Sequence, residues 1–323
     1  MQVKVEKQPK ATFKLDITIP VEKVKEAYNS VLKEVAKTAH LAGFRKGQAP
    51  INLVEEKANK SDLYGEAVNK LLEIFYPQAL KEHKIAAISN PKVEIKEFEP
   101  TKEFKFIATV ATQPEIKIKE YKNELKKLFE KVRSEHKEHD HEVHLSPDNV
   151  VKKLIELAKI EISDILIDEE VNRMYTRMMQ QIQAIGMKVE DFLKSQNKTI
   201  EQLTQEYKSA AEESLKGEFI LGHLIREEGI EVSEAEIDEM INAVGDKKMQ
   251  EKLASPVQKI YIKSILAKNR LITKLIEEAE GILGKVKNSI GKDDIEKLEH
   301  EHEHTHNHEE AKNDKISEEK EEK

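Results

Sequence analysis

The first periodic segment of the chain alternates apolar and polar residues, which predicts a half-buried β-strand over residues 11–19. Its apolar positions are Ala11, Phe13, Leu15, Ile17 and Ile19. Pro20 suits the first turn of a helix, and from there the apolar spacing changes to three and four. The helical face comprises Val21, Val24, Tyr28, Val31 and Val35. The pattern therefore predicts a strand followed directly by an amphipathic helix.

The N-terminal third continues with helices and closes with two more strands. A short helix is predicted from Ile51 and a longer one from Ser61 to about Phe75. Two alternating runs, 93–98 and 104–110, predict a strand pair joined by a turn. Strands at both ends with helices between them predict an α+β domain over residues 1–118.

The apolar spacing is helical in every segment from residue 148 to about residue 288. Thr199 and Ser233 each begin a capping box, and Asp168 is expected to cap the helix that carries Met174, Met178 and Met179. Glycine and proline divide this stretch into separate helices. The pattern predicts an extended all-α domain with arm-like hairpins over residues 148–292.

Two segments contain too few apolar residues for a core of their own. Residues 119–147 are rich in Lys, Glu and His, and they predict a charged linker with one modest helix. Residues 293–323 hold 5 Lys/Arg against 13 Asp/Glu, a net of −8, which predicts a disordered acidic tail.

Composition favours an elongated helical protein over a compact enzyme, because 36% of the 323 residues are charged and only 5% are aromatic. There is no cysteine, so disulfide and thiol chemistry are excluded. Without a signal peptide or a run of 18 apolar residues, the chain is expected to be cytoplasmic with no membrane partner. Residues 1–118 hold 20 Lys/Arg against 16 Asp/Glu, a net of +4, which permits proximity to a polyanion.

Catalytic motifs are missing from the sequence. The nearest glycine-lysine cluster, GILGK at 281–285, has the wrong spacing for a phosphate-binding loop, and no nucleophile motif occurs. The carboxylates alternate with lysines on helix faces, which indicates solvated surface. We therefore expect a protein that is not an enzyme and needs no cofactor.

The segment GFRKGQAP, residues 43–50, places an aromatic residue and two cations between two predicted helices. Gly43 and Gly47 permit unusual backbone angles, and Pro50 stiffens the exit. Phe44, Arg45 and Lys46 would then point outward from a rigid tip, which suits docking on a surface of phosphate and apolar protein. The alternative is an ordinary glycine-rich loop with a solvated basic pair.

This segment resembles the signature loop of the trigger factor family, Gly-Phe-Arg-x-Gly-x-x-Pro, which Gly43, Phe44, Arg45, Gly47 and Pro50 match in register. The run ILIDEEV at 165–171 resembles the opening of a long helix in the family's substrate-binding domain. The resemblance implies an N-terminal ribosome-binding domain and an ATP-independent chaperone that docks at the exit tunnel and shields nascent chains. Its implied partners are an exit-tunnel protein, nearby ribosomal RNA and unfolded polypeptides; a homodimer stays open.

The chain departs from the family pattern between these domains. Typical members carry a prolyl isomerase domain of the FK506-binding type there, and such a domain needs on the order of 100 residues. Residues 119–147 are too few, so we expect no isomerase activity. The alternatives to ribosome docking are a ribosome-independent holdase or assembly chaperone, and a metal-handling protein.

Methionines are the candidate substrate-binding residues, because the flexible side chain adapts to varied partners. They are Met174, Met178, Met179 and Met187. The alternative is that they fill gaps between helices, since an apolar helical stripe is normally core.

Histidines alternate in the tail and cluster again at positions 136, 139, 141 and 144. The tail set is His300, His302, His304, His306 and His308. Imidazole binds Zn or Ni, so weak metal binding by the tail is predicted, without the fixed spacing of a structural zinc site.

Overall fold

The computed structural model describes residues 1–135 and 144–281. The strands are β1 (Gln2–Gln8), β2 (Thr12–Ile19), β3 (Lys92–Glu97) and β4 (Phe104–Ala111). The helices are α1 (Val21–Thr38), α2 (Ile51–Lys57), α3 (Lys60–Glu82), α4 (Tyr121–Glu135), α5 (Pro147–Leu157), α6 (Asp164–Ala184), α7 (Val189–Ser195), α8 (Ile200–Glu227), α9 (Glu234–Ala243), α10 (Lys247–Leu253) and α11 (Pro256–Glu280). The chain divides into two compact units: Met1–Glu115 with Glu161–Glu169, and Ile116–Ile160 with the chain from Glu170.

The first unit is an antiparallel sheet packed against helices. The strand order is β1-β2-β4-β3, and the register places Leu15 opposite Ala108 and Ile17 opposite Phe106. These side chains share a core with Leu71 of α3 and neighbouring residues of α1 and α3. The predicted strands at 11–19, 93–98 and 104–110 are confirmed to within two residues. The α+β architecture of this part of the chain is confirmed as well.

Strand β1 is absent from the sequence-based prediction. It forms the edge of the sheet by pairing with β2, with Val3 opposite Ile17 and Val5 opposite Leu15. Val3 and Val5 are only partly buried, and just two apolar positions alternate with charged ones. An alternating pattern of only two apolar residues does not identify a strand until its partner strand is known.

The apolar spacing predicts helix in every segment from residue 148, but residues 158–163 are not helical, because α5 ends at Leu157 and α6 begins at Asp164. Ile162 is 2% exposed, and the Ser163 hydroxyl lies 2.9 Å from that of Thr12. Residues 161–169 thereby join the first unit. The expectation that Asp168 caps α6 is wrong, because the helix begins four residues earlier.

The second unit consists of helices, and α4 is part of its core. The helices α4, α5, α8 and α11 bury one another's apolar faces. Tyr121 and Leu125 of α4 are buried, and Leu128, Phe129 and Val132 pack around them partly exposed. The described part of the predicted linker is therefore an amphipathic helix that packs within this unit.

A buried carboxylate holds α4 against α8 and α11. The Glu228 side chain, 10% exposed, accepts hydrogen bonds from Lys122 at 2.7 Å, Lys274 at 2.6 Å and the Tyr121 hydroxyl at 2.6 Å. Burial opposes ionisation of Glu228, but these three donors outweigh it and lower its pKa to about 2. Burial and the bond to Glu228 raise the pKa of Tyr121, which therefore stays protonated.

Helix ends in the second unit follow their sequence signals. Both capping boxes form, with Thr199 and Gln202 at the start of α8 and Ser233 and Glu236 at the start of α9. The helices α6, α7 and α8 enclose a small core of their own around Met178, and α9, α10 and α11 enclose another. Among the described residues, no helix is long and apolar enough to cross a bilayer.

The Glu228→Gln variant tests the role of the buried carboxylate. Lys122 and Lys274 would lose their shared counter-charge, so we expect a free energy of unfolding lower by about 2–3 kcal/mol at pH 7. Because the folded pKa is about 2 and the ordinary value is 4.5, the stabilisation is complete above pH 4.5 and is lost as the pH falls through 2. Urea titrations followed by far-ultraviolet circular dichroism measure both effects.

The matched control is Glu227→Gln, because Glu227 precedes Glu228 on the same helix end and its side chain is 50% exposed. Its stability should change by less than about 0.5 kcal/mol. Equal effects of the two substitutions would contradict a special role for Glu228.

Candidate functional site

The loop between α1 and α2 is closed by backbone hydrogen bonds. The Gly47 N–H donates to the Ala39 carbonyl at 3.1 Å, which ties the loop back to the end of α1. Within the loop, the Phe44 N–H donates to the Leu41 carbonyl at 3.0 Å, and the Gln48 N–H donates to the Arg45 carbonyl at 2.9 Å. Two consecutive tight turns therefore define the path of residues 41–48.

Gly47 lies where only glycine fits without strain. Its φ is +76°, and a Cβ added there would be 2.6 Å from the carbonyl oxygen of Lys37. Gly43 also has a positive φ, +89°, but a Cβ added at Gly43 would meet no heavy atom within 4 Å. The two glycines thus differ: Gly43 provides a turn, and Gly47 provides close contact between the loop and α1.

Small apolar residues pack between the loop, α2 and the end of α1. Ala36, Ala49 and Val54 are each at most 8% exposed and form one cluster, so the loop exit and α2 pack on the end of α1. The Tyr28 hydroxyl of α1 also donates to Glu55 of α2 at 2.9 Å. This packing and the hydrogen bond hold both ends of the loop in place.

The residues at the tip face water. Phe44 is 39% exposed, and Arg45 and Lys46 are exposed beside it. Neither cation lies in an ion pair with any residue of the described chain. The loop thus presents an apolar ring next to two positive charges that remain available for an external partner.

Helix α2 extends the apolar surface beyond the loop. Ile51 is 41% exposed and Leu53 is 37% exposed, while Val54 between α2 and α1 is buried. Neither residue is among the site residues predicted from the sequence. The sequence does contain a signal for this exposure, because the short helix α2 has apolar residues at three of its first four positions. Such a helix cannot bury all three on one side.

The predicted substrate-binding methionines separate into two groups. Met178 is 7% exposed and packs with Ile182 and Leu203, which corrects its assignment as an open contact residue. Met174 is half-buried on the same helix. Met179 and Met187 are each 39% exposed and remain available on the surface.

Four aliphatic residues outside the predicted substrate-binding set are more exposed than the methionines. Ile185 is 67% exposed just after the end of α6, and Ile200 is 60% exposed at the start of α8. On α11, Val257 and Ile260 are 74% and 71% exposed. All four lie near helix ends, where the spacing of apolar residues no longer predicts which face of the helix is buried.

The metal prediction concerns residues that lie outside the described ranges, because His300, His302, His304, His306 and His308 all follow residue 281. Within residues 1–135 and 144–281, no group of three or more His, Cys, Asp or Glu side chains is placed to hold a metal ion. Of the clustered histidines before α5, the structure describes His144.

Comparisons with known proteins match both parts of the chain to one family. The family model described as bacterial trigger factor protein (TF) matches residues 1–146, and the one described as its C-terminus matches residues 117–277. The trigger factor of Clostridium botulinum strain Hall is 38% identical over 136 residues, which is 42% of this chain and 32% of that protein. The trigger factor of Staphylococcus carnosus is 39% identical over 108 residues, 33% of this chain and 24% of that one. The match thus spans about a third of the curated relatives' length or less.

A solved structure supports the fold. A chain from a study of promiscuous substrate recognition by the trigger factor chaperone aligns with a TM-score of 0.62, covering 86% of this chain and 100% of that one. The sequence identity is 14%, so this likeness concerns the fold alone. The two family models together match residues 1–277 without a gap, and on these grounds the chain belongs to the trigger factor family.

Proposed function

We propose that this chain is an ATP-independent chaperone that docks on the ribosome through the loop at 43–50 and shields emerging polypeptides at the exit tunnel. The observation that carries the proposal is the exposed Phe44 beside Arg45 and Lys46 on a loop whose backbone is held in place. Phe44, Ile51 and Leu53 are each at least 37% exposed within ten residues of the chain, which leaves more apolar surface in water here than one scattered side chain would.

The chemistry of the tip suits a ribosomal surface. Ribosomal RNA supplies phosphates for Arg45 and Lys46, and a ribosomal protein supplies an apolar pocket for Phe44. A rigid loop loses little conformational entropy on binding, which favours affinity from a small contact. The net charge of +4 on residues 1–118 adds a weak attraction toward the same polyanion.

Client binding would use the exposed aliphatic side chains of the helical unit. Met179, Ile185 and Met187 lie around the end of α6 and leave apolar surface in contact with water. Each such side chain contributes roughly 1.5–3 kcal/mol when fully buried, before entropy costs, so a few simultaneous contacts give reversible binding. Client binding through this surface would not require the ribosome. A ribosome-independent holdase is therefore the second candidate function.

We propose that the chain works without prolyl isomerase activity and in the cytoplasm. The family models overlap over residues 117–146, so the sequence leaves no room between the matched regions for a further domain. Helix α4 lies in this overlap and packs into the helical unit.

Replacing Phe44, Arg45 and Lys46 together with alanine tests the docking role. The variant loses the apolar plug and both charges, so we expect ribosome affinity at least about tenfold lower in a sedimentation assay. Wild-type binding should also weaken as salt rises, because phosphate contacts release counterions.

The matched control replaces Ile74, Lys25 and Lys81 with alanine. Ile74 is 52% exposed, and the two lysines are exposed on α1 and α3 of the same unit. This control removes the same kinds of side chain and should cosediment like wild type. Unchanged sedimentation of the loop variant at moderate salt would overturn docking and leave the ribosome-independent holdase.

Gly47→Ala tests whether loop geometry matters independently of the contact side chains. The new Cβ would meet the Lys37 carbonyl at 2.6 Å, so the loop must shift and Phe44 with it. We expect about tenfold weaker ribosome binding with the fold of the unit retained. Gly43→Ala is the control, because Gly43 also has a positive φ but an added Cβ there would meet no atom within 4 Å. This variant should weaken ribosome binding less. Equal effects would show that backbone strain alone decides the outcome.

Replacing Met179, Ile185 and Met187 together with glutamine tests the client surface. We expect affinity for a permanently unfolded protein, reduced and carboxymethylated lactalbumin, to fall at least about tenfold in fluorescence anisotropy because apolar burial is lost. The control replaces Lys188, Glu190 and Lys194 of the same region with glutamine and should bind as wild type. Normal client binding by the first variant with normal stability would remove this surface from the proposal.

A further inference from the structure

The methionines of this chain differ in their access to solvent. Met179 on α6 and Met187 just after that helix are each 39% exposed, whereas Met178 is 7% exposed and Met240 on α9 is 6% exposed. The other three are half-buried: Met1, Met174 and Met249. All seven methionines lie in the described ranges, and the two most exposed thioethers belong to one short segment.

Methionine sulfur is the side-chain atom of this chain that a mild oxidant attacks first. The sequence contains no cysteine and no tryptophan, so no thiol or indole competes for the reagent. Hydrogen peroxide transfers an oxygen atom to the thioether: the O–O bond breaks, an S–O bond forms, the sulfur is oxidised and the peroxide is reduced to water. The product, methionine sulfoxide, is polar where the thioether was apolar.

The two exposed methionines lie in the surface proposed to bind clients. Together with Ile185 they leave apolar side chains in water around the end of α6. Gly186, with a φ of +66°, turns the chain there, and the Met187 N–H donates to the Ile182 carbonyl at 3.1 Å. The backbone of this turn therefore holds Met187 at the surface of the helical unit.

The core beneath this surface shields its own methionine. Met178 packs with Ile182 and Leu203 in the cluster that α6, α7 and α8 enclose. Neither Met179 nor Met187 belongs to that cluster. A sulfoxide at either exposed position therefore changes the surface and leaves the packing between α6 and α8 in place.

We propose that Met179 and Met187 are sites of oxidation by peroxide, and that their sulfoxides weaken client binding. The effect on clients rests on the proposed function of this surface, whereas the choice of sites rests on the exposure of the two side chains. A sulfoxide oxygen accepts hydrogen bonds from water, and burial against an apolar client removes those bonds without replacing them. Oxidation thus opposes the contact that the thioether favours.

The modification is reversible by a methionine sulfoxide reductase. In that reaction the sulfoxide oxygen leaves as water while a pair of thiols is oxidised to a disulfide. This chain has no cysteine to supply the thiols, so the reductase is a separate protein. Oxidant and reductase would together set how much of the client surface is available.

Peptide mass spectrometry of the full-length chain after a brief exposure to hydrogen peroxide tests the choice of sites. Trypsin cleavage after Arg177 and Lys188 releases the peptide MMQQIQAIGMK, which contains Met179 and Met187 together with the buried Met178. Fragmentation of this peptide compares the three sulfurs within one molecule. We expect Met179 and Met187 to gain oxygen at least about fivefold faster than Met178 in the folded chain, and all three to react alike in urea. Equal rates in the folded chain would overturn the inference.

Fluorescence anisotropy with reduced and carboxymethylated lactalbumin, added after the peroxide is removed, tests the effect on clients. Oxidation should lower the affinity of wild type at least about tenfold, and sulfoxide reductase with dithiothreitol should restore it. The variant Met179→Leu with Met187→Leu keeps the apolar surface without sulfur, so it should bind like untreated wild type before and after peroxide. Met249→Leu is the control, because it removes a half-buried methionine of α10 and should respond to peroxide as wild type does.

Unchanged client affinity in wild type that carries sulfoxide at Met179 and Met187 would overturn the inference and leave the proposed function in place. Loss of affinity in the leucine variant on oxidation would also overturn it, because the group responsible would then lie elsewhere. A chain that binds no client before treatment would contradict the proposed function and with it the effect of oxidation on clients. The peptide comparison decides the oxidation sites by itself.

Discussion

The close contact between Gly47 and the end of α1 is the constraint on which the candidate docking site depends. The Lys37 carbonyl leaves no space for a side chain at residue 47, and the Gly47 N–H is bonded to Ala39. The loop backbone is fixed there and Ala49 packs against Ala36 of α1, and in this geometry Phe44 is 39% exposed. The adjacent cations then define the kind of surface that the ring can meet.

The helical unit depends on a different kind of interaction. Helix α4 contributes apolar side chains to the core, but its position is determined by Glu228, which satisfies two lysines and a tyrosine at once. A buried carboxylate with several donors restricts geometry more strongly than apolar packing does, because each hydrogen bond is directional. The helical unit thus has a well-defined core around α4, while its exposed aliphatic residues lie near helix ends. That combination suits the proposed chaperone role, since exposed aliphatic side chains are available without loss of the supporting core.

Much of the fold could be predicted from local pattern. The strands at 12–19 and 104–111, the two capping boxes and the helix ends at glycine follow from periodicity and backbone chemistry within about ten residues. The loop at 43–50 stood out because glycine, proline, aromatic and basic residues together exceed what a turn requires. The edge strand β1 was missed because its two valines identify a strand only through pairing with β2.

The sequence by itself predicted most helices and strands and singled out the loop at 43–50, and the tertiary structure decided which side chains face water. Met178 and Met179 are neighbours of identical type, yet one is 7% and the other 39% exposed, since only Met178 lies in the core that α6, α7 and α8 enclose. His144 and Glu280 are 136 residues apart and meet at 2.8 Å. Periodicity reports on residues within a few turns of one another, whereas burial and long-range pairing depend on how whole helices pack, and no local pattern contains that information.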